Sequence, residues 1–229
     1  MKTMIRSLLA SSLTIVVILL SISQVHAQDL STYRNFSFGM TVADLAKQID
    51  ARPIDVAVVH EHPALIQELR WWPPQPNRSQ RPTESAGRIL FSFYNDTLYR
   101  IFVTYDDSAI KGLTASDMIR VISAKYGTAT MPVAEIDFPT NPSYEDTSAK
   151  VIARWEDPIY SLNLVRLSLQ DTFAIIMFSK QADAQAAASI AESAKLDQQE
   201  APQKKAAQVK KDADDLEGER QKNINAFLP

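Results

Sequence analysis

A seven-residue element that occurs twice constrains this chain more than any other feature. Gly39-Met40-Thr41-Val42-Ala43-Asp44-Leu45 recurs 73 residues later as Gly112-Leu113-Thr114-Ala115-Ser116-Asp117-Met118. The shared pattern is Gly, apolar, Thr, two residues, Asp, apolar. It describes the start of a helix: a Thr hydroxyl caps the first turn, and an Asp three residues on reaches back to the cap's own amide. The carboxylate also lies at the positive end of the helix dipole. Apolar residues at helical spacing follow each cap, Val42, Leu45, Ala46 and Ile49 in the first and Ala115, Ile119, Ile122 and Tyr126 in the second. Tyr126-Gly127 reads as the stop of the second helix.

Strands are expected behind each helix. Ile89 to Tyr94 and Leu98 to Tyr105 are rich in β-branched and aromatic residues and flank the turn pair Asn95-Asp96. Alternation places Ile89, Phe91 and Phe93 on one face, and Tyr99, Ile101, Val103 and Tyr105 on one face of the next strand. After the second helix, Val151 to Trp155 and Leu162 to Leu169 flank Asp157-Pro158, and Phe173 to Phe178 adds a strand. Val56 to Val59 and Leu65 to Trp72 are further strand segments, separated by Pro63. The expected class is α+β: two helix-plus-β-meander units, about 36–105 and 110–178, sharing an antiparallel sheet with the helices on one face.

The two ends differ from this body. Lys2 and Arg6 precede an apolar run from Leu8 to Ile22, and Val25-His26-Ala27 suits a signal peptidase, so residues 1–27 read as a secretory signal cut before Gln28. The competing reading is a retained anchor, but a core of roughly 13 to 15 residues is shorter than a bilayer needs. A periplasmic or secreted location and no membrane span after cleavage are therefore expected. Cleavage moves the formal net charge from −3 to −5 by removing Lys2 and Arg6. That acidity argues against nucleic-acid binding, which needs clustered Lys and Arg. The chain has no Cys, so disulfides, thiolate metal sites and Cys nucleophiles are excluded. Residues 28–179 form the expected globular domain. From Lys180 the chain turns to Ala, Gln, Lys, Glu and Asp, which predicts a solvated helical or disordered tail over 180–229, interrupted at Pro202 and weakened at Gly218. Ala206, Val209, Ala213 and Leu216 form a short 3-4-3 apolar stripe within it.

Phe36-Ser37-Phe38-Gly39-Met40-Thr41-Val42-Ala43-Asp44-Leu45 resembles the opening of the small outer-membrane-assembly lipoproteins called SmpA/OmlA. In that family a Gly-Met-Thr element precedes a short helix and a β-meander. Tandem copies of the unit resemble the architecture of the β-lactamase inhibitor protein. This chain lacks the lipidated Cys of those lipoproteins and has Ala51-Arg52-Pro53 where the family turns through Gly-x-Pro. The resemblance implies a non-catalytic envelope module that binds another protein.

No catalytic or cofactor signature accompanies these elements. His60-Glu61-His62 is the one place where two histidines meet, and residues two apart on a strand share a face, so both could reach one metal. Two surface histidines near a turn is the plainer account, and no metal or cofactor is assigned. A Ser-His-Asp hydrolase would have to use one of them, but no Gly-x-Ser-x-Gly elbow is present. Acidic pairs occur at Asp106-Asp107, Glu135 with Asp137, Glu145-Asp146 and Glu156-Asp157. Each reads as turn or strand-end acids, with no catalytic role. The stretch from Trp71 to Arg88 is the most unusual, with two adjacent Trp, four prolines, and Arg78, Arg81 and Arg88. It reads either as a mobile loop rooted on a packed Trp or as a partner-binding surface formed by Trp71, Trp72, Arg78, Arg81 and Arg88. The expected function is an exported, non-enzymatic envelope protein that binds a protein partner. The alternative is an envelope hydrolase or sugar-binding protein using the Trp71–Arg88 region.

Overall fold

A computed structural model describes residues 29–52, 55–74, 86–137, 148–167 and 172–227. The expected signal segment, Arg78, Arg81 and the Glu145-Asp146 pair lie outside them. No helix among the described residues is long and apolar enough to cross a membrane.

The elements follow the order that the repeat predicts. A small ribbon of β1 (Thr32–Tyr33) and β2 (Phe36–Ser37) leads into helix α1 (Val42–Gln48). Strands β3 (Val56–His60), β4 (Ile66–Trp71), β5 (Ala86–Tyr94) and β6 (Thr97–Tyr105) complete the first unit. The second has a one-turn helix α2 (Asp107–Ile110), helix α3 (Ala115–Tyr126), and strands β7 (Glu135–Asp137), β8 (Ser148–Glu156), β9 (Tyr160–Leu167) and β10 (Phe173–Ser179). Helix α4 (Lys180–Ala226) ends the chain.

Each unit contributes four consecutive antiparallel strands, and the two meanders merge through their last strands. The sheet order is β3-β4-β5-β6-β10-β9-β8-β7. At the junction β6 and β10 run antiparallel, with Phe102 opposite Ile176. The repeat thus appears as an approximate two-fold relation between the units. Leu45 of α1 and Met118 and Ile122 of α3 are buried in one cluster with Leu69, Phe91, Ile101, Trp155 and Leu164, so both helices lie on the same face. The Trp155 indole donates to the Gly127 carbonyl at 2.9 Å, which ties the end of α3 to β8.

The caps match in part. Gly39 and Gly112 both take positive φ, 91° and 82°, just ahead of Thr41 and Thr114. The two Thr hydroxyls accept from Asp44 N at 3.1 Å and Asp117 N at 3.2 Å. Only the second forms a full capping box, in which Asp117 also accepts from Thr114 N at 3.1 Å. At the first, Asp44 accepts from the Thr41 hydroxyl at 2.8 Å without the reciprocal bond from the Thr41 amide that completes a box. Asp96 of the β5–β6 turn supplies the missing cap by accepting from Val42 N at 3.1 Å. The Thr114 hydroxyl, its amide and Arg120 hold the Asp117 carboxyl down at about 2, against an ordinary 3.8. A depressed folded value means the contribution is present above the ordinary range and is lost as pH falls through about 2. Thr41→Ala and Thr114→Ala should each cost about 1 kcal/mol with the fold intact. Circular dichroism melts check this, and the Thr114→Ala difference should shrink as the pH is taken down toward 2.

Other expectations are corrected. Asn95 and Asp96 adopt φ of 47° and 64°, the positive pair that a two-residue hairpin turn requires. Next to that turn, however, the β5–β6 register slips between Ser92 and Phe93, so Tyr99 does not share the face of Ile101 and Val103. A β-bulge interrupts the alternation there. Tyr99 packs instead with Ile66 on the opposite face. Glu135 and Asp137, read as turn or strand-end acids, are the two ends of the short edge strand β7.

The largest correction concerns the end of the chain. Helix α4 runs unbroken for 47 residues through Pro202, because the flanking Ala, Gln, Lys and Glu are strong helix formers. It is not solvated from its start. Ala186 and Ile190 are buried with Ile66 and Tyr99, on the sheet face opposite α1 and α3. Only from Ala194 onward is every residue of the helix exposed.

Candidate functional site

The paired tryptophans end β4, where neighbouring side chains point to opposite sides. Trp71 is half-buried and meets Phe36 edge-on, with ring centroids 5.7 Å apart, so it roots the strand in the core. Trp72 is 61 % exposed. Both line a surface hollow of about 460 Å³ together with Asp50, Asp55, Glu68 and Arg70. Its floor comes from the α1–β3 connection and its wall from β4.

The charge of the hollow is mainly acidic. Asp55 is held by Arg52 at 3.0 Å, and that hydrogen bond pulls its carboxyl below the ordinary value. Glu68 is buried. Asp50 takes φ of 55°, a left-handed turn that ends the α1 segment. Three carboxylates against Arg70 and the Arg52 that pairs with Asp55 leave a small acidic excess beside an exposed indole, which suits a cationic or amphipathic group better than an acidic one.

Of the predicted arginines, Arg78 and Arg81 lie outside the described residues, and Arg88 does not line this hollow. Arg88 pairs with Thr104 across the sheet, and its neighbour Ile89 pairs with Trp71, so Arg88 lies on the other face. The carboxylates from the α1–β3 connection were missed by the sequence reading. No periodicity marks them, since a turn brings them to β4 from some twenty positions away.

The histidine pair sits at the opposite end of β3. His60 ends that strand, and His60, Glu61 and His62 line a second hollow of about 310 Å³ with Ser193, Asp197, Glu200 and Lys204 of α4. The Ser193 hydroxyl lies 3.0 Å from His60 Nδ1. This is a Ser-His contact without the rest of a hydrolase site. Ser193 is only 7 % exposed, and His60 Nε2 is buried with no partner among the described residues. A nucleophilic Ser needs a reachable hydroxyl and a base oriented by a third group. Lys204 draws Glu200 to 2.9 Å and Asp197 to 3.5 Å. Among the described residues no group of three His, Cys, Asp or Glu is placed to hold a metal ion. The contact acts as a latch between β3 and the helix.

Asp106, Glu156 and Asp157 make structural contacts. Asp106 caps α2 by accepting from Ser108 N at 2.8 Å, and the Ser108 hydroxyl at 2.6 Å, together with that amide, lowers its carboxyl. Glu156 pairs with Lys180 at 2.8 Å, and Asp157 accepts from Ile159 N and Tyr160 N in the β8–β9 turn. The strongest electrostatic contact is internal. Arg100 of β6 meets Asp183 of α4 at 2.7 Å, with side-chain exposures of 9 % and 17 %. Burial works against the charged guanidinium, yet the Asp183 carboxylate outweighs it and holds Arg100 above its usual value.

A scan against protein-family models, a search of curated proteins and a search of solved structures each found no match.

Proposed function

We propose that this chain is an exported, non-enzymatic module of the cell envelope that binds a protein partner at the hollow beside Trp72. The observation that carries the reading is Trp72 itself, a large aromatic 61 % exposed at the rim of an acidic hollow. Exposed indoles are costly on a surface with no use for them and are frequent anchors of interfaces. The balance of Asp50, Asp55 and Glu68 against Arg70 and the Arg52 paired with Asp55 leaves a small acidic excess, which favours a partner segment that presents Lys or Arg next to an apolar side chain. Location outside the cytoplasm rests on the leader-like residues 1–27.

A second reading uses the same indole. An exposed Trp flanked by carboxylates also suits the apolar face and hydroxyls of a sugar. Site-specific photo-crosslinking from position 57, an exposed residue that lines the same hollow, separates the two in envelope extracts. Trp72→Ala and Asp50→Lys should leave the melting temperature nearly unchanged and abolish the crosslinked protein. A soluble Lys-rich peptide should compete for it and an oligosaccharide should not. An identical captured set from wild type and both variants would remove the hollow from consideration.

A further inference from the structure

Helix α4 lines the hollow beside His60 as far as Lys204, and past it carries Val209, Leu216 and Ile224 at 61 %, 68 % and 50 % exposure, with every residue from Ala194 on exposed. A helix polar on all sides would need no cover, but this one has a stripe. Ala206, Val209, Ala213 and Leu216 recur at 3-4-3 spacing, which keeps them on one side of the helix. That spacing reads the same in both directions. In an antiparallel pair of such helices with its axis at Lys211, Ala206 faces Leu216 and Val209 faces Ala213. Every layer then joins a small residue to a large one, and the stripe fills without a void.

The charges obey the same reversal. Lys204, Lys205, Lys210 and Lys211 precede Asp212, Asp214, Asp215, Glu217 and Glu219, with Glu200 before them and Lys222 after. Turning the helix around Lys211 brings Glu200 level with Lys222, Lys205 level with Glu217 and Lys210 level with Asp212. A parallel pair in register would instead place the basic block against the basic block and the acidic against the acidic. Blocks of opposite sign within a Debye length attract, and like blocks repel.

We infer that the projecting part of α4 is a self-association element that pairs antiparallel with α4 of a second copy of this chain. The inference is independent of the proposed partner at Trp72, which lies on the body of the protein. It predicts a monomer–dimer equilibrium set by α4 and weakened by salt.

The absence of cysteine permits a clean test on the full chain from Gln28. Oxidising a mixture of the Ala206→Cys and Leu216→Cys chains should trap a disulfide-linked heterodimer, while each variant alone stays uncrosslinked. Sedimentation equilibrium of the unsubstituted chain should show dimer at high concentration, and Leu216→Asp should return it to monomer with its circular dichroism unchanged. Crosslinking within either single variant would establish a parallel arrangement and overturn the proposal. So would an unsubstituted chain that remains monomeric at about 1 mM.

Discussion

A chain cut after Ser179 should fail to fold cooperatively, whereas one cut after Gln199 should melt as the full chain does. The first cut removes Ala182, Ala186 and Ile190 from their contacts with Ile66, Tyr94 and Tyr99. It also takes the carboxylate of Asp183 from Arg100, which water then reaches on the uncovered face. Uncovering an Ile and several aromatics costs a few kcal/mol. That is a large share of the whole stability of a domain this size, about 5–15 kcal/mol. The second cut removes only exposed helix and should change stability by no more than about 0.5 kcal/mol. Solubility and a urea melt followed by Trp fluorescence distinguish the two. A soluble, cooperatively melting chain ending at Ser179 would show that α4 merely rests on the sheet.

Asp183→Ala should be the most damaging single substitution outside the apolar core. It leaves the Arg100 guanidinium buried between Phe178, whose ring centroid is 5.7 Å away, and the sheet. The expected loss is about 3–5 kcal/mol at neutral pH. Arg100→Met combined with Asp183→Leu should recover much of that loss, since removing both charges also removes their desolvation cost. The four corners of this double-mutant cycle, measured by urea unfolding, give the coupling directly. If Asp183→Ala melts within about 0.5 kcal/mol of wild type, the pair is no more than a surface contact.

The second face of the sheet explains why the sequence misleads at α4. Residues 180–193 are mostly Ala, Gln, Ser and Asp, a composition that has little to bury by hydropathy. Yet Ala186 and Ile190 suffice, because small side chains let the helix approach closely and Tyr99 rises from the bulge to meet them. Arg100 and Asp183 are 83 positions apart, so neither betrays the other in the sequence. The candidate site divides in the same way. Trp71 and Trp72 stand out by composition, and strand alternation tells which kind of pair they are. Asp50 and Asp55 become neighbours of Trp72 only when α1 and β3 have turned back along β4.

What the sequence determined by itself is local: two Thr-capped helices after Gly39 and Gly112, the Asn95-Asp96 hairpin, and the strand segments of both meanders except β7. These depend on backbone preferences and hydrogen bonds within a few residues, which a chain carries wherever it folds. Tertiary structure alone decided that the meanders join through β6 and β10, that Tyr99 changes face, that Asp96 completes the cap of α1, and that α4 begins as core and ends as solvent-exposed helix. Each of those outcomes rests on pairing or burial between distant residues, whose energies exist only once both partners have been brought together.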